Sequence, residues 1–185
     1  MPEAIAPAAS DETRNLLRRF ERPLLQFATR ITGDRERAKD VVQETFIKYQ
    51  RNGAPADPFA AATWLFTVCR NAALNVCRKE KRLLFLDEPL LEAQPSEDPL
   101  PGEALEQKEA AGFLARIIAT LPPRQQEVLQ LKFQNDLSYE QIAEITKTNA
   151  NNVGVLIHTA LKTLRRRYAE ASKHFVAFPQ RTTSR

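Results

Sequence analysis

Apolar positions along this chain recur at steps of three and four, the period of a helix with one buried face. Few β-branched runs alternate as a strand would. The clearest case is residues 137–168, LSYEQIAEITKTNANNVGVLIHTALKTLRRRY. They predict a short helix, a tight polar turn and a longer helix that ends in a basic run. Ser138 with Gln141 three residues on forms a capping box, and Ile142, Ala143 and Ile145 supply the first helix's apolar side. The turn runs from Thr146 through Lys147 and Thr148 to Asn149, a good N-cap for the next helix. There Val153, Ile157, Ala160, Leu161 and Leu164 make one buried stripe. Asn151, Val155, His158 and Lys162 take the opposite face, followed by Arg165 and Arg166. A helix braced on another with amide and basic side chains outward is how a helix-turn-helix enters the major groove. Asparagine can read adenine edges there, while Lys and Arg neutralise phosphates. The alternative is a plain helical hairpin with a solvated basic face; motif and charge together favour DNA contact.

The N-terminal half predicts three further helices. One spans about Glu12 to Thr32, with Pro23 inside it as a kink or break and Gly33 placed to end it. Asp34 caps the next, through about Gln50, with Ala38, Val42, Phe46 and Tyr49 inward. Asp40, Gln43, Glu44 and Ile47 lie on its other side, either as ordinary solubilising positions or as a surface for a partner. Residues 52–58 form a loop by their turn chemistry, and a helix follows from about Ala60 to Arg82. Leu65, Cys69, Ala72 and Val76 make its buried stripe, while Trp64, Thr67, Asn71, Asn75, Arg78 and Arg82 line up about 100° away. If Trp64 is exposed, this stripe suits opened DNA: the ring stacks on an unpaired base, amides bond base edges and arginines hold phosphates. Trp64 as a core residue is the competing reading.

Charge divides the 185 residues into blocks. Residues 14–82 carry a net +8, residues 83–107 a net −7 with no basic side chain, and residues 108–185 a net +6. Two basic blocks around an acidic strip imply two nucleic-acid surfaces on a tether. The strip, LLFLDEPLLEAQPSEDPLPGEALEQ, holds four prolines and a glycine, which disfavours a fold of its own. It is either a passive spacer or a strand that enters a basic channel. The acidic start does not read as a signal peptide or presequence, and no run approaches the ~18 apolar residues of a membrane span. A cytoplasmic protein without membrane insertion is expected. Cys69 and Cys77, eight residues apart on one helix, would have Cα atoms about 12 Å apart, too far for a disulfide. Neither His158 nor His174 stands at a ligand spacing to them, so buried thiols are expected and no metal or cofactor. No Ser/His/Asp or Cys/His constellation appears, which argues against an enzyme.

The segments AKDVVQETF (38–46), TWLFTVCRNAALNVCRKEKR (63–82) and LPPRQQEVLQLKFQNDLSYEQIAEI (121–145) resemble the extracytoplasmic-function (ECF) sigma factors, the two-domain initiation subunits of bacterial RNA polymerase. The likeness covers about Leu16 to Tyr168. It implies an all-α chain of two small helical domains joined by a flexible acidic linker, the C-terminal one a helix-turn-helix. The expected division is a tail at 1–11, a region 2-like domain at 12–82, a linker at 83–107, a region 4-like domain at 108–170 and a tail at 171–185. The resemblance makes Asp40, Gln43, Glu44 and Ile47 candidates for docking on the β′ clamp helices of core RNA polymerase. It gives Trp64, Thr67, Asn71, Asn75 and Arg78 to the −10 element, with a flipped base held between the loop 52–59 and the helix near Asn71. It gives Lys147, Asn149, Asn151, Asn152, Val155, His158, Lys162, Arg165 and Arg166 to the −35 element of promoter DNA, in a region that also touches the β flap. An anti-sigma factor is a further implied partner. The acidic linker would occupy a nucleic-acid channel of the polymerase. The chain departs from the family where a glycine is common in the turn, here Lys147. It departs again at Gly154 and Leu156, where Lys and Arg are usual. Phosphate anchoring then shifts to Lys147, Lys162, Arg165, Arg166 and Arg167. The alternative function is a stand-alone helix-turn-helix regulator whose first domain is a sensor or dimerisation module.

Overall fold

The computed structural model describes residues 11–51, 55, 57–84 and 105–176. The expected tails before residue 11 and after 176, most of the loop 52–56 and the strip at 85–104 lie outside them. All the described elements are helices: α1 (Asp11–Thr32), α2 (Arg35–Arg51), α3 (Pro58–Leu84), α4 (Leu105–Ala119), α5 (Pro123–Phe133), α6 (Tyr139–Thr146) and α7 (Ala150–Val176). The chain forms two compact units, one holding α1, α2 and α3 with residues 141–147, the other holding α4, α5, the start of α6 and α7.

Local chemistry sets the helix ends. α1 runs through Pro23 to Thr32, and Gly33 closes it at φ 70 with its amide on the Thr29 carbonyl at 2.8 Å. That left-handed residue costs glycine little. Asp34 caps α2 through Oδ1, which accepts the Arg37 amide at 2.9 Å. Asp57 does the same for α3, accepting the Ala60 amide at 2.8 Å, so α3 starts at Pro58 rather than Ala60. Proline fits there because the first helical amide has no partner to lose. α7 also differs from expectation. The sequence predicts a helix ending in the basic run, whereas α7 continues past Arg167 to Val176, a stretch with no Gly or Pro to stop it.

The first unit packs α1, α2 and α3 against one another. Phe66 is fully buried and meets Phe27 edge-on at 5.3 Å and Phe20 at 6.3 Å. Leu24, Val41 and Leu65 fill the space around this core. Because α2 meets both neighbours, its buried arc is wider than the single stripe expected. Ala38, Val42 and Tyr49 are buried and Phe46 half-buried, but Val41 and Thr45 are buried too. Thr45 enters the core because its hydroxyl donates to the Val41 carbonyl at 2.8 Å. On α3 Leu65, Cys69 and Ala72 are buried as expected, Val76 is half-buried, and Ala61, Ala62, Phe66 and Ala73 join them. Both cysteines are free; burial pushes the Cys69 thiol up to about 12, which makes it inert at neutral pH. Cys77 is half-buried, its thiol on the Ile31 carbonyl at 3.2 Å.

In the second unit α7 packs on α4 and α5. Leu121, Leu129 and Ala160 form a buried cluster flanked by Leu161 and Leu164. Pro122 and Pro123 open α5, and the Gln126 side chain donates back to the Leu121 carbonyl at 2.7 Å, closing the end of the preceding segment. Among the described residues no helix is long and apolar enough to cross a membrane.

Candidate nucleic-acid interfaces

Asn149 organises the start of α7. Its Oδ1 accepts the Asn152 amide at 2.8 Å, and its carbonyl accepts the Val153 amide at 3.1 Å. The Asn152 side chain is turned back, donating to Thr148 Oγ1 at 2.7 Å. Of the asparagines expected to face DNA, Asn149 and Asn152 thus hold the helix end, while Asn151 is exposed and uncommitted. Val155, His158, Lys162, Arg165 and Arg166 are exposed along the same side, and Val153 and Ile157 are buried behind them. Arg167 turns away: half-buried, it donates to the hydroxyl of Thr120 and braces the unit rather than the surface.

Lys147 stands at φ 55 in the turn before α7, with its amide 3.3 Å from the Glu144 carbonyl. A left-handed conformation there accounts for the usefulness of glycine at this point, and a lysine holds it only against some strain. Ahead of α6, Lys132 donates to the Leu137 carbonyl at 3.2 Å and sits 5.9 Å from the Tyr139 ring centroid. The Ser138 hydroxyl and Glu140's own amide donate to the Glu140 carboxylate and hold it below its ordinary range; the backbone amide is the larger cause. Gly154 lies beside the Tyr139 ring. Position 154, where the resemblance leads one to expect a cation, is half-buried beside that ring.

The first unit has an open groove of ≈690 Å³ between α2 and α3. Trp64, Asn71, Asn75 and Arg78 line it from α3, and Glu44 and Lys48 from α2. Lys79 and Arg82 complete its basic end. Trp64 combines both readings of its sequence position. It is half-buried, packed edge-on to Tyr49 at 5.5 Å, yet one side faces the groove. Tyr49 is held in turn by its hydroxyl, which donates to the Pro55 carbonyl at 2.9 Å. Thr67 does not line the groove; its hydroxyl is committed to the Thr63 carbonyl at 2.7 Å.

On α2, Asp40, Gln43 and Ile47 are exposed, as their spacing predicted. Glu44 is exposed as well but pairs with Lys48 at 2.6 Å on the groove's lip. Sequence reasoning did not single out Lys48, Lys79 or Phe59. Phe59 is 75% exposed, the most exposed large apolar side chain among the described residues. An aromatic directly after Asp57 and Pro58, at a helix start rather than on its stripe, was the available signal.

The family model for Sigma-70 region 2 matches residues 16–83, and that for Sigma-70 region 4 matches residues 114–164. The chain is 30% identical over 146 residues to the ECF RNA polymerase sigma factor SigL of Mycobacterium tuberculosis (strain Erdman), covering 77% of this chain and 80% of SigL. This chain belongs to the ECF sigma factors. It is also 29% identical over 153 residues to the RNA polymerase sigma factor YlaC of Bacillus subtilis (strain 168), covering 81% of this chain and 88% of YlaC. The fold matches, at a TM-score of 0.69 and 21% identity, the co-crystal structure of the sigma factor RpoE in complex with the anti-sigma factor NepR from Bartonella quintana. That match covers 85% of this chain and 96% of the other. The protein is an RNA polymerase sigma factor, a transcription initiation factor, and the reading as a stand-alone regulator is not favoured. Region 2 falls on α1–α3 with the groove, and region 4 on α4–α7 with the exposed α7 face.

Proposed function

We propose that this sigma factor divides promoter recognition between its two regions, residues 12–82 taking the −10 element and residues 108–170 the −35 element. The exposed face of α7 reads −35 duplex through Asn151, Val155 and His158, with Lys147, Lys162, Arg165 and Arg166 on phosphates. Asn149 and Asn152 act by fixing the start of that helix. Unpaired −10 bases enter the groove of α3, where Trp64 and Asn71 meet bases and Asn75, Arg78 and Arg82 follow the strand. Phe59, beside the loop, offers a further stacking surface. Thr67 serves this groove only through the helix backbone.

Asp40, Gln43, Glu44 and Ile47 dock on core polymerase at the β′ clamp helices, and region 4 meets the β flap. Residues 83–107 tether the two regions, their acids suited to the polymerase's nucleic-acid channel. An anti-sigma factor, the partner named for RpoE of Bartonella quintana, is a candidate regulator. The observation that carries the reading is the α7 face itself: an exposed amide, valine and imidazole first, exposed cations after them, with Val153, Ile157 and Ala160 buried behind.

Docking is tested by Asp40→Arg with Glu44→Arg. Both side chains are exposed, so circular dichroism should be unchanged while co-purification with core polymerase and promoter run-off are abolished. A folded double variant that binds core normally would refute the docking assignment.

A further inference from the structure

A helix in the major groove selects bases by the donors, acceptors and apolar groups it presents. Between Lys147 and Lys162 the chain has no Lys, Arg, Asp or Glu. Hydrogen bonds commit two of the three asparagines at the helix start, Asn149 to the cap and Asn152 to Thr148. Asn151 remains. One turn further, Val155 is 62% exposed, although Val153 and Ile157 on the opposite side are 0% and 3% exposed. At about 100° per residue, Asn151, Val155, His158 and Lys162 fall within an arc of about 60°. The face therefore offers a free amide, then a bare branched apolar group and an exposed imidazole, and reaches its ammonium group only at Lys162.

Each kind of base asks for something different. Guanine is read chiefly by Arg or Lys on O6 and N7, and neither residue type stands in the reading stretch. Adenine pairs bidentately with an asparagine amide, and the C5-methyl of thymine packs on apolar side chains. Asn151 and Val155 are about 6 Å apart along the helix, close to two base steps of ~3.4 Å.

Building on the proposed −35 role of α7, we infer that this sigma factor selects an A·T-rich −35 core. Asn151 reads an adenine, and Val155 packs on the methyl group of a thymine within about two base steps of it. Val155 is thus a specificity-determining residue, and the cations outside the 148–161 stretch hold phosphates whatever the sequence.

Holoenzyme reconstituted from the full chain and core polymerase is used to select duplexes from a randomised promoter library. The recovered −35 element is then resynthesised with uracil for thymine, position by position, which removes only the methyl group. The expected core is rich in A·T pairs. One thymine-to-uracil change should weaken wild-type binding about three- to fivefold, the worth of one buried methyl. Val155→Ala, a change at a solvent-facing position, should bind the two duplexes equally, and Asn151→Ala should lose its preference at the adenine. A core with two or more adjacent guanines overturns the inference. So does a wild type blind to uracil at every position, or a Val155→Ala variant that still discriminates. A library that returns no enriched −35 sequence overturns the −35 role of α7 itself, and this inference with it.

Discussion

The groove of α3 and the outer face of α7 draw on the same side chains, asparagines and arginines, and arrange them differently. On α3, Asn71, Asn75 and Arg78 follow one another along a concave surface with Trp64 at one end and Arg82 at the other. On α7 the exposed amide, valine and imidazole come first, on a convex face, and the cations gather from Lys162 onward. A single strand presents a base and a phosphate at every step, so a surface that grips it must interleave stacking, amide and cationic groups. A duplex keeps its base edges in the groove and its phosphates on the rims, so a helix that reads it must separate them. The order of residues along the helix and the curvature of the surface, more than the shared asparagines and arginines, distinguish the two proposed sites.

The largest effect that would break this comparison is a double dissociation. Arg165→Ser with Arg166→Ser should weaken −35 duplex binding by on the order of tenfold or more near 0.1 M salt and lower the log–log salt slope by about 1.8. Binding of −10 single strand should be unaffected. Arg78→Ser with Arg82→Ser should do the reverse, with a slope change of about 1.4 for the single strand. Filter binding across a salt series checks both, and a pair of variants that weaken both substrates equally would erase the distinction.

A second test uses two helix ends of the same geometry. α1 ends on Gly33 at φ 70, whereas the turn after α6 places Lys147 at φ 55. Lys147→Gly should stabilise the fold by about 1 kcal/mol, seen as a higher Tm, because the left-handed strain is relieved. The same change should weaken duplex binding evenly across sequences and lower the salt slope by about 0.9. Stability and binding moving in opposite directions would mark Lys147 as a contact held at the backbone's expense.

The smallest effect separates packing from reading within α7. A Cβ on Gly154 would meet the Tyr139 ring at 3.5 Å, an ordinary contact. Gly154→Ala should therefore stabilise the helix by about 0.5–1 kcal/mol, raising Tm by a few degrees. The −35 preference recovered from a randomised library should not change, because Gly154 lies outside the arc of Asn151, Val155, His158 and Lys162.

Much of this arrangement is local and could be read from residue order. The caps at Asp34, Asp57 and Asn149 depend on a side chain reaching an amide three residues on, and Gly33 on its own φ. The outward face of α2 and the exposed face of α7 follow from helical period alone. What spacing could not disclose is which polar groups are already committed. Asn151 and Asn152 are adjacent and identical in type, but only Asn152 is bonded to Thr148. Arg166 and Arg167 are also neighbours, and only Arg167 reaches Thr120, far away in sequence.

The sequence by itself determined α1, α2, α3, α6, the start of α7 and the two basic blocks, because these depend on neighbours three or four residues apart. By contrast, α4 and α5 carried no helix expectation, and α7 runs past the basic run where it was expected to end. Tertiary structure alone decided that Val41 and Thr45 are core, since α2 is covered from two sides and a period marks only one. It also decided that Trp64 both packs on Tyr49 and faces a groove, and that Arg167 reaches Thr120. Those outcomes depend on the rotamers and neighbouring helices that compete for each side chain, and helical periodicity does not encode that competition.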